Sequence, residues 1–570
     1  MKTLILNNKT TILIFVFTVY WLDFPFVSEA IAQSAATLTR EEGPYSSQTP
    51  KYIFANTLEE QEIQLNNNSL IHRFKASREL LASDPYRPVY HFVSPENMMN
   101  DPNGLCFWQG RWHLFYQGYP PDEFPDPVDI KKRRQHWGHA VSEDLVYWRD
   151  LPYAIYPGTE RMCFSGSTVA EEDRVVAFYP GIDAGQMVAS SSDPLLLNWE
   201  KSGPLNTYAG DADIWKEGDT YFGLIGGNQK YYPDSSGLPH SFYSSAYSHA
   251  VWPYWSLWSS KDLVNWESLG GFLYENTPFT ARYDDGSCPN FQKIGDKHIL
   301  LFFSHSNGGQ YFLGDYDEND HKFMPYDHGR FNHGRVAPGG VHAPSSASDG
   351  KGGVINILNI NDGKQSDDWD QIMSLPQRLT LRDNNSLRIE PVESTKKLRG
   401  EHRQVGKTTL PANEEIILET IRGNAMELNL EIDPKLSRWV RLNVLRSPGA
   451  EEYTSITFYN YDRKLTYWYD TRGEIVLDGS QSSILNDVWV RPPERAIMIR
   501  GDETLKLRIF IDRSVVEVFV NGRQYLAMRV YPGRKDSKGV SLLAQGQDAE
   551  LISLDAWQME SIWPAGGPKE

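Results

Sequence analysis

"SEDLVYWRDL" (142–151) and "SKDLVNWESL" (260–269) share a Ser-x-Asp-Leu-Val-x-Trp core, and "SDPLLLNWEK" (192–201) is a weaker copy. Three related turns, each several strands apart, suit the blades of a β-propeller, where corresponding loops recur at one blade position. The alternative is a large β-sandwich in which the likeness is accidental.

The surrounding sequence, from about 86 to 380, predicts an all-β domain. Short apolar runs such as "RWHLFYQGY", "RVVAFYPG", "TYFGLIGG" and "HILLFFSHS" recur between clusters of Gly, Asp, Asn and Pro. None reaches the length of an ordinary helix. Residues 33–85 are polar and read as a loosely attached leader, with short helices expected at "LEEQEIQ" and "ASRELLAS". The charged run at 381–410 reads as a linker. From 411 to 562, runs such as "AMELNLEID" and "WVRLNVLR" alternate apolar and polar residues, the pattern of a β-sandwich. Asn521-Gly522 carries a hairpin signal.

Length and composition set the bounds. A chain of 570 residues is long for one domain. Its net charge of −18 argues against nucleic acid or an anionic membrane as partner. The 17 Trp and 30 Tyr fit either sugar-stacking platforms or the cross-strand pairs of a β-rich core. Residues 1–32 read as a signal peptide: Lys2 and Lys9, the apolar stretch Thr10 to Leu22, then Ala30 and Ala32 in an A-x-A cleavage pattern. Secretion, or export to a periplasm, follows, with no membrane attachment after cleavage. Three cysteines, Cys106, Cys163 and Cys288, are too few for a disulfide framework and show no metal-ligand spacing.

One stretch carries chemistry. "NMMNDPNGLCFWQGRWHLFYQGYP" (97–120) places Asp101 in a dense turn signal followed by large aromatics. A carboxylate on a rigid turn beside Asn100 and Asn103 can be held ionised by hydrogen bonds. The aromatics would then form a sugar-stacking wall.

"MMNDPNG", "HWGHAVSEDLVYW", "FSGS" (164–167) and "LRIFIDRSVVEVFVNG" (507–522), in this order, resemble glycoside hydrolase family 32, the invertases, inulinases, levanases and other β-fructosidases. The resemblance spans about 86 to 560. It implies a five-bladed β-propeller with an axial active site, followed by a β-sandwich. It also implies retaining hydrolysis of sucrose or fructan bonds with no metal or organic cofactor. Asp101 takes the nucleophile's place; Asn100, Gln117 and Trp137 stand where sugar contacts and the funnel wall are expected, and Phe164 and Ser165, in the "FSGS" turn, are binding candidates too, each of the five reading equally well as a packing or turn residue. His342 falls near the funnel but reads more simply as a structural histidine.

Two departures matter. Gly210-Asp211-Ala212 stands where an Arg-Asp-Pro motif is expected, so Asp211 keeps the transition-state carboxylate without its Arg. Asp213 is set aside as facing away. Ser287 occupies the place of the acid/base Glu beside Cys288-Pro289, and a serine hydroxyl cannot protonate a leaving alkoxide near neutral pH. Either a nearby acid takes over (Asp285, Asp284 or more distantly Glu275), with Ser287 left as a binding residue, or ordinary glycosidase activity is lost. Fructosyl transfer and fructan binding without turnover are the rival readings.

Overall fold

The described residues of this computed structural model are 35–123, 133–228, 253–274, 280, 284–332, 334–460, 472–489, 491–500 and 503–563. The expected signal peptide and Glu275 lie outside them. Five antiparallel sheets succeed one another along the chain. Blade I is built from Met99–Trp108, Arg111–Gly118, His136–Ser142 and Arg149–Ile155. Blade II runs from Met162–Cys163 and Ser167–Ala170 through Val175–Ile182 and Gly185–Ser191 to Glu200–Ser202. Blade III contains Ala212–Glu217, Thr220–Asn228, Pro253–Ser260 and Glu267–Gly271. Blade IV contains Ser287–Ile294, Lys297–Ser304, Gly308–Asp317 and Lys322–Arg330. Blade V contains Val341–Ser348, Val354–Ile360, Gln377–Leu381 and Leu387–Pro391.

The leading strands of the five blades pack against one another in ring order, blade V closing on blade I. Polar ties join the neighbours. Gly104 N–H donates to Gly166 O at 3.1 Å, and Ile214 N–H to Ser167 Oγ at 2.8 Å. Phe291 N–H donates to Asp213 Oδ2 at 2.6 Å, Ser346 N–H to Asn290 Oδ1 at 2.9 Å, and Leu105 N–H to Ser345 Oγ at 3.0 Å.

The repeated turns do the same work in three blades. Each joins the third strand to the outer strand, and Leu145, Leu196 and Leu263 take positive φ of 68°, 53° and 64°. The Asp of each turn accepts backbone N–H groups: Asp144 from Val146 and Tyr147, Asp193 from Leu195 and Leu197, Asp262 from Val264 and Asn265. Trp148, Trp199 and Trp266 then drop into the blade cores.

Several expectations change. "NDPNG" lies inside the leading strand of blade I, with register shifts at Met99/Pro102 and Asn103/Cys106. Its turn-forming residues therefore make bulges, which bend a strand without ending it. The aromatic wall is core: Trp137 and Phe115 are fully buried, pack on each other and on Tyr179 and Trp199, and cannot reach a sugar. Phe164 is buried too. A propeller blade is covered on both faces, so its aromatics meet the next blade rather than solvent.

The leader is docked rather than loose. Helices Leu58–Asn66 and Ser69–Leu81 start at Thr57 and Asn68, whose side chains cap Glu60 N–H and the Leu70 and Ile71 N–H groups. They bury Leu65, Leu70 and Phe74 against blades I and II. Gln61 reaches Asp193 at 2.8 Å and Arg78 reaches Asp150 at 2.7 Å. The run expected as a linker contains the outer strand of blade V and, at Arg399–Val405 and Thr408–Leu410, strands of the next domain. The short 3₁₀ segment Glu393–Leu398, about two turns long, connects them.

That second domain is a sandwich of a seven-stranded and a six-stranded sheet. Asn521 and Gly522 take φ of 50° and 57° at the expected hairpin. Its propeller-facing side is buried with blade V: Phe510, Val515, Phe519 and Tyr525 share one core with Ile357, Leu379 and Ile389. Asp512, fully buried, accepts the N–H groups of Val89, Tyr90 and His91. No helix among the described residues is long and apolar enough to cross a membrane.

Candidate active site

The leading end of every blade supplies a side chain to one cluster. Asp101 comes from blade I, Ser165 from the turn opening blade II, and Asp211 from the residue ahead of blade III's first strand. Blade IV gives Ser287 and Cys288, and blade V gives His342. Local irregularities aim them. Cys288 and Ala343 have positive φ (47° and 42°), each at a register shift, Ser287/Asn290 and His342/Pro344. A regular ladder would turn alternate side chains away from the axis; the bulge re-aims them.

Asp101 is 6% exposed. Its Oδ2 accepts from Ser165 Oγ at 2.5 Å and from Gln117 Nε2 at 3.2 Å. His342 Nε2 stands 3.3 Å from Oδ1, at ion-pair distance but without hydrogen-bond alignment, so Oδ1 has no formal donor among the described residues. Burial disfavours the charged form, but His342 and Ser165 outweigh it and hold the carboxyl below its usual range. Asn100 Oδ1 accepts from Asn359 Nδ2 at 3.1 Å and lies 3.3 Å from His342 Nε2. Asn100 thus stands beside His342 at the edge of the cluster.

Asp211 behaves oppositely. Cys288 N–H donates to its Oδ2 at 3.1 Å. Burial, followed by repulsion from Asp101, nevertheless pushes its pKa up to about 7. Cys288 Sγ lies 3.6 Å from Oδ2 of both Asp101 and Asp211. Burial and the two carboxyls push the thiol well up, so it is not a nucleophile.

The acid candidates separate clearly. Asp284 is fully buried away from the cluster, bonded by Asn307 Nδ2 at 2.6 Å and Gln310 Nε2 at 3.1 Å, with Arg330 3.6 Å away. Asp285 accepts from Ser287 Oγ at 3.1 Å and from His305 N–H at 3.0 Å, and its Oδ2 is paired with His305 Nδ1. Burial alone would raise its pKa, but His305 outweighs burial and lowers it. A carboxyl held ionised cannot be the proton donor, so the acid role expected of Asp285 is not supported. Asp213 does lie away from the site, tying blade III to blade IV, although residues two apart on a strand share a face. Sequence reasoning missed His305. It carries no motif, and only the pairing of Ser287 with Phe303 across blade IV shows that it stands opposite Asp285.

Comparison with known proteins agrees with this architecture. The profile of the glycosyl hydrolases family 32 N-terminal domain matches residues 91–232 and 253–391, and that of the family's C-terminal domain matches 394–558. The chain therefore belongs to glycoside hydrolase family 32 and is a glycosidase. It is 27% identical over 514 residues to a levanase of Bacillus subtilis, covering 84% of this chain and 71% of the relative. It is equally similar over 517 residues to a sucrose-6-phosphate hydrolase of Escherichia coli, covering 83% and 95%. The fold matches the crystal structure of fructan 1-exohydrolase IIa from Cichorium intybus with a TM-score of 0.69 at 22% identity, covering 84% and 98%.

Proposed function

We propose that this protein is exported and hydrolyses β-fructosidic bonds of sucrose or fructans by a retaining double displacement, with Asp101 as nucleophile. The observation that carries the reading is the Asp101 carboxylate. It is buried at the meeting point of the blades, held ionised by its neighbours, and leaves Oδ1 without a donor. A nucleophile that attacks at neutral pH needs that state. Asp211, half protonated near pH 7, is suited to hydrogen-bond sugar hydroxyls and to stabilise charge as the glycosidic bond breaks. Gln117 and Ser165 act through Asp101's carboxylate. The relatives' names support the substrate class, since levanase and fructan exohydrolase both act on fructans. Export rests on the N-terminal sequence pattern.

The test is product analysis of the purified protein with sucrose, inulin and levan, beside an Asp101→Asn variant. Free fructose should form, and the folded variant should lose about 10³-fold or more in kcat. Binding of fructans without any product would overturn the reading.

A further inference from the structure

A retaining glycosidase needs a proton donor opposite its nucleophile. Among the described residues around Asp101, most candidates fail. Ser287 has only a hydroxyl, Asp285 is held as the carboxylate, Cys288 is too weak an acid, Asp284 points elsewhere, and Asp211, whose carboxyl is raised by burial and by Asp101, has the sugar-binding role proposed above. From the geometry of blade IV we infer that His305 is the general acid/base, and that Asp285 is its positioning residue. The inference rests on the proposed retaining reaction.

The placement follows from strand pairing. Ser287 is the cross-strand partner of Phe303. Continuing that antiparallel register puts Asp285 opposite His305, and Asp285 does accept both the backbone N–H and Nδ1 of His305. The imidazole therefore sits beside Ser287, linked to it through one carboxylate. With Nδ1 held by Asp285, Nε2 has no protein partner among the described residues, and the side chain is 38% exposed. Phe303 packs on both histidines, with ring centroids 4.9 Å from His305 and 5.3 Å from His342. Both histidines thus lie against one phenylalanine ring, and one of them, His342, stands 3.3 Å from Asp101 Oδ1.

The charged groups facing His305 are Asp285, Asp211 and Asp101, and His342 shares contact with the Phe303 ring. Burial works against its proton, but the three carboxyls outweigh burial and raise its pKa above the ordinary value. In the first half-reaction, Asp101 forms a C–O bond to the anomeric carbon as the glycosidic C–O bond breaks. The departing oxygen keeps the bonding electron pair and takes the Nε2 proton. In the second, water attacks that carbon and gives its proton to Nε2. The C–O bond to Asp101 breaks as the water oxygen bonds, and the electron pair restores the carboxylate.

The experiment compares sucrose, whose glucose is a poor leaving group, with p-nitrophenyl β-fructofuranoside, whose p-nitrophenolate leaves without protonation. In His305→Gln, sucrose turnover should fall by about 10²–10⁴-fold, the usual worth of general acid–base catalysis. Aryl fructoside turnover should stay within about tenfold of wild type. His305→Ala should regain sucrose hydrolysis when imidazole is added. Asp285→Asn should move the alkaline limb of the kcat/KM profile to lower pH, because it removes the carboxylate that raises His305. A thermal melt confirms that each variant is folded. Equal losses on both substrates, no loss on sucrose, or leaving-group discrimination in Asp211→Asn instead would overturn the assignment while leaving the retaining reaction intact. A wild-type protein inert on both substrates would overturn the retaining reading itself, and this inference with it.

Discussion

Asp101 and Asp211 lie within reach of one thiol yet have opposite tendencies: His342 and Ser165 outweigh burial at Asp101, whereas at Asp211 burial and the charge of Asp101 outweigh the single N–H donor from Cys288. That contrast gives a residue-level prediction. Ser165→Ala removes a hydrogen bond to a charged acceptor, worth about 1.5–3 kcal/mol. The pKa of Asp101 should rise, so the acidic limb of kcat/KM should move to higher pH; an unchanged limb would show that Ser165 does not hold the charge. Asp101 and Asp211 were legible in sequence because each sits in a recognisable local pattern. His305 was not, since its role depends on a partner twenty residues away across a hairpin. Trp137 stays undecided between funnel wall and packing in sequence for a related reason: a sequence shows an aromatic residue but not which neighbouring blade covers it.

At the scale of elements, the site depends on strands that are bent on purpose. Gly104 sits within the second register shift of blade I's leading strand, Asn103/Cys106, at φ +47°. A Cβ there would meet Thr168 Cγ2 at 2.6 Å and Trp137 at 3.0 Å. Gly104→Ala should therefore destabilise by about 2–4 kcal/mol, combining left-handed strain with overpacking. A lowered thermal midpoint with reduced activity is expected; a wild-type melt would show that the bulge is not needed. The repeated Asp-Leu-Val-x-Trp turns were readable because each is complete in ten residues. The supposed linker was not, because blade V's outer strand buries only alternate residues and Arg399–Val405 is largely exposed, so their charges look like those of a loop.

At the scale of the molecule, the two domains are pinned by a buried ion pair. His91 Nδ1 lies 2.9 Å from Asp512 and its Nε2 3.6 Å from Glu517, all fully buried. Burial would strip the imidazole's proton, but the two carboxylates outweigh it and push the pKa up to about 9. A pKa raised on folding gives stability that is complete below the unfolded value of about 6.5 and lost as pH climbs to about 9. The thermal midpoint should thus fall across that window, and Asp512→Asn should be less stable with a flatter dependence. Parallel curves would show that the pair does not titrate with unfolding. Truncation after Pro391 should give insoluble protein, because it uncovers the apolar face of blade V that the sandwich buries. A soluble, active truncate would contradict that packing.

The claim on which the account turns is that Asp101 forms a covalent bond to the sugar. Acid-quenching the protein during turnover of p-nitrophenyl β-fructofuranoside, followed by peptide mass spectrometry, tests it directly. The account predicts one fructosyl residue esterified to Asp101 and none in Asp101→Asn. A fructosyl adduct on another residue, or steady turnover with inversion at the anomeric carbon, would contradict it.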